Sequence, residues 1–280
     1  MPQRDQSYAA SVRRNQIFMF FQALASGAAQ QGRILHALVM REVMTRYGRE
    51  GLGFLWLVGE PLAFCLGVIV LWTTLKPAYE HGVRVAPFVM SGYMCLLLLR
   101  HFITHSLHAL QANAGLLFHR SIKPLHIYLS RAILEFLGAT LAFVIVYVIL
   151  ISLRQIGPPH DVILLYSGWF ILAWLCFGLA LVLAALSVRF ETVERLSNLV
   201  TYLLIPISGS FIMAAYVPAE YRDYYLMIPF PHAIEMVRAG IFGEFVKTYY
   251  TPIYPIAWGT ALVFLGLILL KLFQSSVETE

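Results

Sequence analysis

Three histidines and one arginine form the densest group of reactive side chains in the chain. His101, His105 and His108 lie at positions i, i+4 and i+7, directly after Arg100. In a helix this spacing places the three imidazoles on one face, which is the arrangement that a metal site requires. No nearby aspartate, glutamate or cysteine completes such a site, so no metal is expected. The same face is consistent with two other roles, the lining of a polar passage and polar packing between helices.

Glu60, followed by Pro61, is an acidic residue inside a long apolar run. A carboxylate within a membrane span is costly and therefore needs a reason. One interpretation pairs it with a cation from a neighbouring helix, with Arg131 or Arg100 as candidates. In the other, Glu60 lines or gates a conduit, and Pro61 removes a backbone hydrogen bond and lets the helix flex. Trp56, one turn before Glu60, is a conduit candidate in the second interpretation.

The composition identifies the elements that must position these residues. The chain has 280 residues, of which 59% are hydrophobic and 12% are charged, and its mean hydropathy is +0.72. These values lie outside the soluble range and predict an all-α integral membrane protein. The three cysteines all lie inside apolar runs, which excludes a disulfide framework.

Six apolar segments are long enough, or nearly so, to cross a bilayer. They cover Leu52 to Leu75, Pro87 to Leu110, Leu125 to Leu153, Val162 to Val188, Leu199 to Val217 and Tyr254 to Phe273. We expect the second to be disturbed by its arginine and histidines, and the fifth by Pro206 and the Ser208–Ser210 stretch. The predicted organisation is a cytoplasmic leader over residues 1–32, an amphipathic interface helix over 33–50 and a six-span domain over 51–280.

The interface helix is predicted from apolar residues at helical spacing. Ile34, Leu35, Leu38, Val39 and Val43 share one face. Twelve lysines and arginines lie in the segments on the side of the termini, against six on the other side. The positive-inside rule therefore places both termini in the cytoplasm. It also explains the net charge of +5 without a nucleic acid partner.

Residues 217–253 form a long segment between the fifth and sixth spans that is too apolar for a solvated loop. We expect one or two short re-entrant or interfacial helices there. His232, Glu235 and Arg238 follow one another at i, i+3 spacing and are able to interact along one helix. Tyr224 and Tyr225 belong to a group of aromatic residues that suits either a membrane interface or the flat face of a sugar.

No catalytic signature is present in the sequence. It contains no GxxxxGK[ST] phosphate-binding loop and no HExxH or paired-cysteine metal motif. We therefore expect no enzymatic activity, no catalytic residue and no cofactor in this chain. A membrane transferase using Glu60 or His232 as a base is a weaker alternative.

Three stretches resemble a known family. MREVMTRYGREGLGFLWLVGEPL, over residues 40–62, resembles the start of the permease subunits of type-2 ABC exporters. LQANAGLLFHRSIKPLHIYLSRAILE, over residues 110–135, is similar to a cytoplasmic stretch of capsular polysaccharide export permeases. PFPHAIEMVRAGIF resembles their PxxHxxExxR motif, matched here by Pro229, His232, Glu235 and Arg238.

The resemblance implies a homodimer with a conduit at its interface, in the bacterial inner membrane. Two separate cytoplasmic ABC ATPase subunits would bind ATP and Mg²⁺, and periplasmic and outer-membrane export proteins would receive an acidic, lipid-linked capsular polysaccharide. The alternative substrates are O-antigen, teichoic acid or a small amphipathic drug or lipid. The cytoplasmic residues implied in coupling to the ATPase are Arg41, Glu42, Arg46, Asn113, His119, Arg120 and Lys123.

Overall fold

The protein is almost entirely helical. This is a computed structural model, and it describes residue 22 and residues 26–45, 53–77, 79–80, 82–118, 121–243 and 247–277. The helices in this part are α1 (26–45), α2 (Gly53–Leu75), α3 (Val85–Leu107), α4 (Pro124–Ser152), α5 (Val162–Arg189), α6 (Glu191–Ile207), α7 (Ala219–Tyr225), α8 (Pro229–Phe242) and α9 (Ile253–Val277). Short 3₁₀ helices cover Gln111–Leu116 and Ala214–Tyr216, and β1 (Tyr79–Glu80) pairs with β2 (Val83–Arg84) in an antiparallel hairpin.

Five of the predicted spans coincide with long helices. Among the described residues, α2, α3, α4, α5 and α9 are each long and apolar enough to cross a membrane. The protein is therefore an all-α membrane protein. The α3 helix continues through Arg100 and the first two histidines as one helix, because these polar side chains leave its backbone hydrogen bonds intact.

The fifth predicted span begins as a helix and ends as irregular structure. The α6 helix begins at Glu191, earlier than expected, and ends at Ile207. Pro206 lies in its last turn, and Gly209 then adopts a positive φ of 86°. Since proline cannot continue the hydrogen-bond ladder and glycine favours the left-handed region, the chain turns here.

The main core lies between α2, α3, α4, α5 and α8. Along α3 the residues from Val85 to Leu99 are all buried, so this helix is enclosed by the others. The α8 helix is buried from Phe230 to Ile241 and packs against α5. Glycine makes this close packing possible, since a Cβ atom on Gly240 would lie 2.4 Å from the backbone nitrogen of Leu165. The predicted short helix in the segment 217–253 is thus an internal element of the bundle.

A second glycine supports a sharp prediction about stability. A Cβ atom on Gly92 of α3 would lie 1.7 Å from the carbonyl oxygen of Ser210, which is backbone and has no side-chain freedom to move aside. We expect Gly92→Ala to destabilise the protein by about 1–3 kcal/mol, the usual range for overpacking. Thermal unfolding in detergent, followed by fluorescence-detected gel filtration, measures the effect. Gly157→Ala is the matched control because nothing lies within 4 Å of its added Cβ atom; equal midpoints for the two variants would contradict the prediction.

Candidate functional site

The α1 helix is attached to the bundle through a buried ion pair. Its buried or half-buried side is the apolar face predicted from the sequence, with Leu38 at its centre. Glu42 lies on that same face, and its Oε1 is 2.9 Å from Nε of Arg131 on α4. Both side chains are buried. A helix expected to rest on the membrane surface is therefore linked to a spanning helix by charge.

A second polar contact joins α1 to the 3₁₀ helix Gln111–Leu116. Nη1 of Arg41 donates to Oδ1 of the buried Asn113 at 2.9 Å. The amide of Asn113 in turn donates to the carbonyl of Ala109 at 3.0 Å, which fixes its orientation. Three coupling candidates, Arg41, Glu42 and Asn113, thus lie where α1 meets α3 and α4.

His101 and His105 form a cluster with an acid that the sequence analysis did not assign to them. Nδ1 of His101 is 3.4 Å from Oε2 of Glu135, and Nε2 of His105 is 3.7 Å from Oε1 of the same carboxylate. The expectation that no carboxylate completes the histidine face is wrong, because Glu135 comes from α4 and not from the neighbouring sequence. Arg131, one turn before Glu135, donates through Nη1 to the carbonyl of His105 at 2.6 Å. The ion pair of α1 and the histidine cluster are therefore contiguous.

His108 does not belong to this cluster. The α3 helix ends at Leu107, so the continuous helical face assumed for the three histidines ends before His108. Its Nε2 is instead 3.6 Å from Oε1 of Glu194 on α6, where both side chains are substantially exposed. The histidines thus divide between two contacts.

The remaining conduit candidates are dispersed. Glu60 is half-buried on α2, and Trp56 is exposed on the same helix. Within the described part of the chain Glu60 has no ion pair, and the cation proposed for it, Arg131, is paired with Glu42. Arg100 is half-buried on α3. Since neither suggested cation reaches Glu60, the pairing interpretation loses its support.

The polar side chains of the α8 motif form hydrogen bonds with backbone groups of the segment 217–253 and of the turn after α6. Pro229 occupies the first turn of α8, where its missing N–H has no consequence. Nδ1 of His232 accepts from the N–H of Thr251 at 3.0 Å, so its Nε2 carries the proton and donates to the carbonyl of Leu226 at 2.7 Å. His232 therefore has a fixed tautomer and joins two loops.

Glu235 and Arg238 also form hydrogen bonds with backbone groups. The carboxylate of Glu235 accepts from the N–H groups of Ala214 and Tyr249, each at 3.2 Å. Burial raises the pKa of the Glu235 carboxyl, against the opposing influence of Arg238 and these two donors. Arg238 is completely buried, lies 3.7 Å from Glu235 and donates to carbonyls of the turn after α6. The i, i+3 interaction expected along this helix is present between these two residues.

Two of the three tyrosines of α7 are conduit candidates, and they differ in their surroundings. Tyr224 is exposed, as expected for a ring available to a membrane interface or to a ligand. Tyr225 donates through its hydroxyl to the carbonyl of Ile212 at 3.0 Å and so contributes to the turn after α6. The exposed rings of this short helix are thus those of Tyr221 and Tyr224.

The structure describes only one of the other four coupling candidates. Arg46, His119 and Arg120 lie outside the described residues. Lys123 is exposed and precedes α4, and its backbone N–H donates to Nδ1 of His126 at 3.1 Å.

Arg131 and Glu135 could have been recognised in the sequence as residues of a polar contact between spans. They are charged residues spaced i, i+4 inside a predicted span, so they share one helix face within the bundle. Such a pair predicts a polar contact between spans, although it does not identify the partner helix.

The fold and the charged contacts of α1 define a class, that of polytopic membrane proteins with an amphipathic helix attached to the spanning bundle. Comparisons with known proteins are consistent with this class. Residues 33–242 match the ABC-2 type transporter family. The chain is 34% identical to the capsule polysaccharide export inner-membrane protein CtrC of Neisseria meningitidis serogroup B, over 90% of this chain and 95% of that protein.

The same identity and coverage relate it to the capsule polysaccharide export inner-membrane protein BexB of Haemophilus influenzae. It is 24% identical to the polysialic acid transport protein KpsM of Escherichia coli, over 91% of this chain and 99% of that protein. The chain belongs to the ABC-2 type transporter family, among the capsule polysaccharide export inner-membrane proteins.

Proposed function

We propose that this chain is the permease subunit of an ATP-driven exporter that moves a capsular polysaccharide from the cytoplasm across the inner membrane. The relatives from Neisseria meningitidis and Haemophilus influenzae are capsule polysaccharide export proteins, which supports this substrate class. Polysialic acid, which the Escherichia coli relative transports, is a polyanion, and this favours an acidic glycan. That the glycan is lipid-linked is proposed from the family resemblance alone. The same relatives do not favour O-antigen, teichoic acid or a small amphipathic substrate.

The energy is proposed to come from two separate cytoplasmic ABC ATPase subunits, which hold ATP and Mg²⁺. The sequence printed for this chain contains no GxxxxGK[ST] loop with which to bind these groups. Periplasmic and outer-membrane export proteins receive the glycan on the other side. This chain is thus the transport subunit and not the enzyme.

The observation that carries the proposal is the attachment of α1 to the spanning helices. Through Glu42 and Arg131, a displacement of α1 acts directly on α4. Through Arg41 and Asn113 it acts on the connection that follows α3. The first contact adjoins the histidine cluster, because Arg131 also donates to the carbonyl of His105 at 2.6 Å. An ATPase that moves α1 would therefore also change the polar cluster between α3 and α4.

The transmembrane arrangement proposed is a six-span domain with both termini in the cytoplasm. The fifth crossing consists of α6 and residues 208–217, which include the 3₁₀ helix Ala214–Tyr216, while α7 and α8 re-enter the bundle from the outer side. The Lys and Arg distribution supports this orientation.

Two copies of the chain are proposed to form the conduit. One face of α2 carries exposed apolar residues, including Trp56, Phe64 and Leu71, that a second copy would cover. Glu60 lies half-buried on the same helix. Arg100 supplies a cationic group for a polyanion, since a charged lining concentrates ions of the opposite sign, and the histidines His101, His105 and His108 supply polar groups on the same route.

Replacing Glu60 with glutamine distinguishes its two interpretations, an ion pair within the bundle and a residue that lines or gates the conduit. We expect the variant to accumulate in the membrane like the wild type, because no described residue is an ion-pair partner of Glu60, while export falls severalfold. Quantitative surface-glycan staining and membrane immunoblots measure the two quantities. If the variant fails to accumulate, Glu60 has a structural partner and the conduit role is wrong.

Gentle detergent purification of the tagged chain from its native cell tests the function. We expect an ABC ATPase to co-purify, and its ATP turnover to depend on the presence of this chain. A preparation without any nucleotide-binding partner would contradict the exporter proposal.

A further inference from the structure

The cluster of His101, His105 and Glu135 contains the donor atoms of a metal site. Each residue offers one ligand atom, and these three atoms all lie within 4.8 Å of one another. Two imidazoles and one carboxylate, with a fourth position left for water, are a usual ligand set for zinc in proteins. The histidines come from successive turns of α3 and the carboxylate from α4, so the site is built on two rigid helices.

The distances are already close to those of a bound ion. Ligand atoms about 2.0–2.2 Å from a tetrahedral zinc ion lie roughly 3.3–3.6 Å apart. The observed separations are 3.4 Å between Nδ1 of His101 and Oε2 of Glu135, and 3.7 Å between Nε2 of His105 and Oε1 of Glu135. Each imidazole therefore lies near its own oxygen of the same carboxylate, so an ion would be held by one of these oxygens or by both.

The surroundings permit both entry and charge balance. The Glu135 side chain is only 2% exposed, whereas that of His105 is 36% exposed and offers a path for an ion. Arg131, one turn before Glu135 on the same helix, is paired with Glu42 at 2.9 Å, and this partly offsets its charge beside a bound ion.

From this geometry we propose that His101, His105 and Glu135 bind one zinc ion between α3 and α4. This replaces the expectation that the chain holds no metal. Imidazole ligands favour zinc over magnesium, which prefers oxygen ligands and retains its water, so the abundant Mg²⁺ of an ATP-dependent system does not compete. The ion leaves a net positive charge at the cluster, which remains compatible with an anionic substrate. The zinc ion also joins α3 to α4 next to the Glu42–Arg131 ion pair that attaches α1.

The test is a zinc titration of the full chain purified in detergent without a polyhistidine tag and freed of metal by a chelator. Metal content after desalting gives the stoichiometry, and competition with a chromophoric chelator gives the affinity. We expect about one zinc per chain, undisturbed by millimolar Mg²⁺. His101→Ala and Glu135→Gln are expected to weaken binding by at least about tenfold, since even outer-shell changes typically cost 10–100-fold.

His108→Ala is the matched control, because His108 is paired with Glu194 and lies outside the cluster. It is expected to bind zinc like the wild type. If Glu135→Gln does not elute as a single species, His101→Ala decides the question, because the His101 side chain is less buried than that of Glu135 (13% against 2% exposed). Absence of stoichiometric zinc from the wild type, or equal affinity of His101→Ala and the wild type, overturns the proposal. Neither result depends on transport activity.

Discussion

Arg238→Ala is expected to remove most of the protein from the membrane. Arg238 is completely buried and lies 3.7 Å from the equally buried Glu235. It also donates to the carbonyls of Gly209 at 2.9 Å and Ser210 at 2.5 Å. Removing one partner of a buried ion pair costs about 3–5 kcal/mol. That is a large part of the roughly 5–15 kcal/mol that stabilises a typical protein.

Immunoblots of membranes, together with gel filtration of the extracted protein, measure this effect. Arg238→Lys is expected to recover only part of the loss, because an ammonium group cannot reach separate carbonyls as a guanidinium fork does. Arg84→Ala is the control, since Arg84 is partly exposed in the β1–β2 hairpin. Normal accumulation of Arg238→Ala would show that the buried network is dispensable.

Glu42→Gln is expected to uncouple ATP hydrolysis from export. The change removes the charge that faces Arg131 at 2.9 Å while keeping the shape of the side chain. If α1 transmits its movement through this pair, the ATPase continues to turn over but α4 no longer follows. Coupling free energies of about 1–3 kcal/mol correspond to roughly 5–150-fold. We therefore expect the amount of glycan exported per ATP to fall by about tenfold.

Reconstituted vesicles containing this chain and its ATPase allow both rates to be measured together. Arg33→Ala is the matched control because Arg33 is exposed on the same helix. The double change Glu42→Arg with Arg131→Glu restores opposite charges and is expected to recover part of the coupling. An unchanged ratio of export to hydrolysis in Glu42→Gln would exclude this contact as the transmission point.

The sequence predicted what depends on local spacing. The length of the apolar runs identified five long helices, and the 3.6-residue pattern around Leu38 identified the buried face of α1. Pro206 and Gly209 marked the place where the fifth predicted span departs from helix. In each case, the residues that carry the pattern belong to the same segment whose structure they predict.

Partners that meet across helices were not predicted. Arg131 was one of two candidate partners for Glu60 but pairs with Glu42. Periodicity defines the faces of a helix but not which faces pack together. Glu135 joined the histidines for the same reason. His232 was expected to interact along its own helix, yet it binds the backbone of Leu226 and Thr251, and backbone partners leave no pattern in a sequence.

The location of the capsular glycan in cells that lack this chain tests the exporter assignment most directly. The account predicts that the glycan disappears from the cell surface and accumulates in the cytoplasm. Re-expression of the wild-type chain restores the surface glycan, and the Glu42→Gln variant does so poorly although it is present in the membrane. Surface glycan at normal levels in cells without the chain would contradict the account.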